Sequence, residues 1–366
     1  MNRPITQLEL TAYNLGKSLD NLMNLDPRGY GVCTILYDEA LRLAGLPLTM
    51  HAASSLLDVL GTGQKNPVVF IITGFVLHPF NKQETDGPLG AAALARTLVK
   101  ITGARPVFIV PAEAKSAMEK LSALMGFASQ TIVFTKDPKE AQKEAERIIG
   151  ETKKESASVS KSDFPVYCIA IEAAGANKLG VYHNALGLDI SSLEAKSDVL
   201  FTRLQEAGVP TLAVGDLGNE CGMGTLGKHA LKYIPGAAKC SCPCGGGLLA
   251  ASSADTVLTT TVSNWGAWGI SSAMAYLARK PEALYDPELE EAALHAANQC
   301  GLIDMYGEAI PAVDGMNLTK NKSIITLMNE CVLSALELED RCKHWFEKTI
   351  ELGFFDRLAA HGDTHT

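Results

Sequence analysis

The residues of this chain best suited to chemistry are carboxylates placed directly after apolar runs. Glu172 closes PVYCIAIE, Asp216 closes PTLAVGD, and Glu220 follows within GDLGNECGMG. Glu84 and Asp86 lie in the polar loop after PVVFIITG, just before a Gly-Pro helix entry. Acids gathered in one place repel one another, so a site built from them raises a proton affinity, binds a divalent cation, or both. Taken singly, Asp86 before Gly87-Pro88 equally suits a helix N-cap beside the macrodipole.

Neutral hydrogen-bonding groups accompany these acids. Asn184, Asn219, Asn264 and His183 suit the orientation of a small polar substrate, and the imidazole of His183 titrates in the range that proton transfer needs. Thr73 and Gly74 could form an anion nest, and Gly218 sits in a glycine-rich turn whose amides could approach an anionic ligand. Neither G-x-G-x-x-G nor a Gly-Lys-Ser/Thr phosphate loop is present, so no nucleotide cofactor is expected. Trp265 and Trp268 are expected to pack rather than to stack on a ligand. In CSCPCGGG, Cys240, Cys242 and Cys244 occupy alternate positions, not the C-x2-C spacing of structural zinc sites. On an extended segment all three would face one side, and burial as small apolar residues is the simplest account of them.

Positioning these groups requires a sheet. Six short runs rich in Val and Ile, at 67–74, 106–110, 131–135, 165–172, 210–216 and 255–264, are continuously apolar, as strands covered on both faces are. Helix-compatible stretches lie between them, long enough for right-handed crossovers. The predicted fold is α/β, a doubly wound, mostly parallel sheet of about six strands. One α/β unit over 1–366 is expected, with a helical cover at 1–65, the doubly wound core at 66–279 and a second helical cover at 280–366 that ends in a helix over 336–352. The charged stretch 151–163 reads as a solvated helix end and loop rather than an interdomain linker. Ligands of such sheets bind outside the carboxyl ends of the strands, where the acids stand.

Bulk properties narrow the function. The chain has 366 residues, 47% hydrophobic, 20% charged and a net charge of -9, a globular composition without the basic surface that nucleic acid requires. The N-terminus lacks the apolar core of a secretory signal, and no stretch is long enough to span a bilayer, so a membrane partner is not expected. Nine cysteines in a long chain without an export signal read as reduced thiols, with the cytoplasm as the expected compartment. The partner expected is a small-molecule substrate, and a homo-oligomer stays open.

Four motifs in order, ETDGPLGAAALA, IE-x-x-G followed by Y-x-N-A, GD-x-GNE-x-GMG and VSNWGAWG, resemble the D-glutamate cyclase family. More narrowly, they are similar to the C-terminal domain of its mitochondrial members and to stand-alone prokaryotic relatives. The resemblance runs from about Thr73 to Ala275, with weaker echoes in DPRG near Asp26 and AVDG near Asp314. It implies a lyase that reversibly dehydrates D-glutamate to 5-oxo-D-proline, the α-amine attacking the γ-carboxyl. Mg²⁺ or Mn²⁺ on Glu172, Asp216 and Glu220, with Glu84 and Asp86 completing the acidic wall, would then polarise the carboxylate. Where the family's loop after the strand glutamate carries arginine and a later acid, this chain has Ala173, Ala176 and Leu179, and so lacks a bidentate partner for a substrate carboxylate there. Two other readings of the same residues are a metal-dependent hydrolase using the glycine-rich turn as a phosphate cradle, and a non-catalytic small-ligand sensor.

Overall fold

The computed structural model describes residues 6–29, 31–61, 66–159 and 166–341. Parts of the 151–163 stretch, of the N-terminal cover and of the helix expected over 336–352 lie outside the described residues.

Three helices lead the chain, α1 (Gln7–Met23), α2 (Val32–Ala44) and α3 (Leu48–Leu60). The first apolar run then forms β1 (Val68–Gly74), buried at every position. A short hairpin, β2 (Val76–Leu77) with β3 (Lys82–Gln83), precedes α4 (Pro88–Thr102). The remaining sheet strands are β4 (Arg105–Val110), β5 (Gln130–Val133), β6 (Val166–Ala173), β7 (Thr211–Gly215) and β8 (Thr256–Thr259). Between them run α5 (Lys115–Leu124), α6 (Pro138–Val159), α7 (Ser197–Glu206) and α8 (Gly227–Tyr233).

The sheet order is β5-β4-β1-β6-β7-β8, and every pair is parallel. Counted within the sheet this is the doubly wound order 3-2-1-4-5-6, whose winding reverses between β1 and β6. The expected α/β architecture is therefore present, with a switch point flanked by the ends of β1 and β6.

One boundary differs. The apolar run predicts a strand to Asn264, whereas β8 stops at Thr259 and α9 (Ser263–Leu277) begins at Ser263. The Asp86 carboxylate accepts the N–H groups of Ser263 and Asn264 at 2.9 and 2.8 Å, which satisfies two amides that the first helical turn leaves without intrahelical partners. From Ser263 to Tyr276 this helix is buried all round, as its apolar composition demands, and Trp265 and Trp268 pack in the core as expected. Close approach of α4 depends on Gly90, where a Cβ would lie 2.7 Å from the Asn264 Cα.

The chain continues through α10 (Pro287–Gln299) and a hairpin of β9 (Ala312–Val313) and β10 (Met316–Asn317) to α11 (Leu318–Arg341). Among the described residues no single helix is long and apolar enough to cross a membrane. The helices α2 and α3 reach that composition only jointly, bent by 48°, and Leu36, Leu48 and Leu56 on them are core residues.

Candidate active site

Because β6 pairs directly with β7, Glu172 and Asp216 emerge side by side at the carboxyl edge of the sheet. Oxygens of Glu172, Asp216 and Glu220 all lie within 4.8 Å of one another. Glu172 takes a left-handed backbone (φ 43), and the β1–β6 register shifts beside it, so that Gly74 pairs with Ala173. A non-glycine residue held there is strained by about 1–3 kcal/mol, a strain that concentrates at functional sites. Ser263 Oγ donates to Glu172 Oε2 at 2.7 Å and fixes the carboxylate's direction.

Glu220 has a different environment. Its carboxylate accepts the N–H groups of Asp216, Leu217 and Gly218 at 3.1, 2.8 and 2.7 Å. The glycine-rich turn thus folds its amides around its own acid. That arrangement fills the cradle which the hydrolase reading would offer to a phosphate.

A cavity of about 300 Å³ opens over this edge. Glu84, Asp86, Glu172, Asp216, Asn184 and Asn219 line it, together with Asp314 and Met305 from the C-terminal cover. The acids hold their protons tightly. Burial first, then Glu220, Glu84 and Asp86, raise Glu172 well above the usual carboxylate range, and burial followed by Glu172 and Glu220 does the same to Asp216. Glu84 is raised by burial and by Asp86, and Asp86 is pushed up to about 7 by burial and by Asp314 despite its three backbone donors. A carboxyl retaining a proton near neutrality is a usable general acid.

Several expected participants sit elsewhere. Asn264 is wholly buried, with Oδ1 accepting from Gly87 and Gly90 at 2.9 and 2.7 Å and Nδ2 donating to the Thr85 carbonyl, so it braces the α4–α9 contact rather than meeting the cavity. Thr73, Gly74 and Gly218 are not among the residues that line the cavity, and neither is Glu220, which is buried beside Glu172 and Asp216. Gly87 packs against Thr73 and against the site's Glu172, since a Cβ there would lie 2.7 Å from Thr73 Oγ1 and 2.8 Å from the Glu172 Cβ. His183 reaches the site only through its carbonyl, which accepts from Asn219 Nδ2 at 2.9 Å; its ring faces thiols, with Nε2 3.2 Å from Cys242 Sγ.

Two members were not among the expected site residues. Arg28, in the turn between α1 and α2, pairs with the Asp314 carboxylate and donates to the Asp314 and Thr261 carbonyls at 2.9 Å. Asp86 and Asp216 also act on it electrostatically. It supplies a guanidinium, which the loop after β6 lacks. Asp314 adopts a left-handed backbone (φ 49) at the tip of the β9–β10 hairpin. Their sequence signals were only the echoes DPRG and AVDG.

The family profile described as D-glutamate cyclase-like, C-terminal, matches residues 19–329, a span that includes every acid of the cavity and Arg28. The chain belongs to that family. Human mitochondrial D-glutamate cyclase is 28% identical over 270 residues, which cover 71% of this chain and 39% of that protein. The chain therefore spans well under half the length of this D-glutamate cyclase. Among the described residues of the D-glutamate cyclase-like region, two groups have the composition and spacing to hold a metal ion, Glu172-Asp216-Glu220 and His183-Cys240-Cys242-Cys244.

Proposed function

We propose that this protein is a lyase that interconverts D-glutamate, or a closely related amino dicarboxylate, and 5-oxo-D-proline. The observation that carries it is the convergence of Glu172, Asp216 and Glu220 at the carboxyl ends of β6 and β7, in a chain belonging to the D-glutamate cyclase-like family. The forward step forms a bond from the α-nitrogen to the γ-carbon and breaks one γ-C–O bond. Two protons leave the ammonium group and the departing oxygen leaves as water.

Three carboxylates are hard oxygen donors of the kind Mg²⁺ and Mn²⁺ prefer, and their spacing is compatible with ligation of one cation at about 2.0–2.2 Å per oxygen. When bound, such a cation would polarise the γ-carboxylate and offset repulsion between an acidic pocket and a dicarboxylate. Protonated Asp216 or Glu172 delivers one of the two protons that the leaving oxygen needs, the partner carboxylate passes it the other after taking one from the amine, and the amine's second proton restores the acid. Glu220 holds the turn through its three amides. Asn219 Oδ1, buried and without a protein donor, accepts from the substrate amine, while Asn184, whose Oδ1 already serves Leu186 and Leu188, donates from Nδ2.

The test is incubation of the protein with D-glutamate and Mn²⁺ or Mg²⁺, with chiral detection of 5-oxoproline and an EDTA control. Cation-dependent formation of the D product is expected. Tight D-glutamate binding without turnover at high protein concentration would replace the lyase with a sensor.

A further inference from the structure

We propose that His183, Cys240, Cys242 and Cys244 form a tetrahedral zinc site that staples the loop after β6 to the segment before β8. It is separate from the acidic centre and independent of the lyase proposal.

The geometry is that of a closed four-ligand shell. Cys240 Sγ lies 3.5 Å from Cys242 Sγ and 3.3 Å from Cys244 Sγ, and His183 Nε2 lies 3.2 and 3.5 Å from the sulfurs of Cys242 and Cys244. All four ligand atoms fall within 4.8 Å of one another. With Zn–S of about 2.3 Å and Zn–N of about 2.0–2.1 Å, a regular tetrahedron has edges of about 3.7 Å between sulfurs and about 3.5 Å from nitrogen to sulfur. The observed edges need to open by only a few tenths of an ångström.

Donors already point at sulfur. The Gly246 N–H donates to Cys244 Sγ at 3.3 Å and Asn177 Nδ2 to the same sulfur at 3.6 Å, so the backbone and a side-chain amide hold this sulfur toward the cluster. Glycines permit this wrapping: a Cβ on Gly247 would come within 1.9 Å of the Ala237 carbonyl oxygen. Residues 234–255 contain no helix or strand, and a segment of that length needs an anchor. Burial as small apolar residues does not explain Cys242 and Cys244, which stay partly exposed.

What the site would secure is one wall of the acidic cavity. The His183 carbonyl holds Asn219, the next residue, Asn184, lines the cavity, and Ser241 Oγ donates to the Leu186 and Gly187 carbonyls at 3.1 and 3.3 Å. Soft thiolates and imidazole select zinc, whereas the carboxylate group beside them selects a harder cation.

Metal analysis of the full chain, purified reduced and without chelator, tests this. The expected result is one zinc per chain, lost from Cys242→Ser and Cys244→Ser and retained by Glu172→Gln and Asp216→Asn. Cobalt added to the metal-stripped protein should give the intense ligand-field and thiolate charge-transfer bands of tetrahedral coordination, a readout that does not depend on any variant folding. Absence of both zinc and the cobalt bands would overturn the site. So would zinc that follows the carboxylate variants instead of the thiol variants, or a Cys240–Cys244 disulfide in a protein that still refuses cobalt after reduction.

Discussion

Ser263 Oγ donates to Glu172 Oε2 at 2.7 Å, joining the strained residue at the end of β6 to the first residue of the buried helix α9. The Ser263 amide is held in turn by Asp86, so one short chain of contacts links strand end, helix start and acidic wall. Asp86 and Glu220 are thus positioned by backbone amides, and Glu172 by a hydroxyl at the start of α9.

Crowding the acids destabilises the fold. Glu172→Gln and Asp216→Asn each remove a buried, mutually repelling carboxylate while keeping its shape. Each should raise unfolding free energy by about 1 kcal/mol, the usual trade between stability and a charged active site. Urea denaturation at neutral pH measures this, and the same variants should lose Mn²⁺ binding in calorimetric titration.

Stability should fall as pH rises. Glu172, Asp216 and Glu84 are raised in the folded state, and Asp86 to about 7, against about 4 in an unfolded chain. The folded protein then binds more protons than the unfolded one, so the contribution is complete below about pH 4 and is lost as pH climbs through about 7. Denaturation midpoints measured from pH 5 to 8 should decline, and added Mn²⁺ should flatten the upper part of that decline.

Gly87→Ala addresses the close packing behind the site. Its φ of 88 and the Cβ contacts to Thr73, Glu172 and the Ile171 carbonyl leave no room for a methyl group. A loss of about 2 kcal/mol is expected, together with weaker Mn²⁺ binding because Glu172 must shift.

How much of this was legible in the sequence depends on what carries each feature. Continuous apolar runs mark β1, β4, β6 and β7 because a strand covered on both faces has no polar alternation, and acids at their ends are then visible as edge residues. Arg28 and Asp314 come from the helical covers, and their meeting is fixed by tertiary packing that no local period encodes. Glu220 reads as a ligand, yet its engagement with three amides depends on a turn conformation that composition leaves open. His183 and the three cysteines lie in two irregular segments, and only the folded chain brings them together.

Arg28→Met isolates the buried charge of Asp314. With the guanidinium gone, Asp314 must stay ionised unpaired or take up a proton, and a loss of about 3 kcal/mol is expected at pH 7.5. The loss should shrink at pH 5, where protonation relieves Asp314, and paired melts of both proteins at the two pH values compare them.

The most direct measurement is the rate of D-glutamate cyclisation by the unaltered protein, Glu172→Gln, Asp216→Asn and the double variant, all with saturating Mn²⁺. If the two neighbouring strand ends form one centre, each single change lowers the rate by roughly 10²–10⁴-fold, and the double variant is about as slow as the slower single variant. Unaltered turnover in either single variant, or losses that multiply in the double variant, would contradict a shared centre at Glu172 and Asp216.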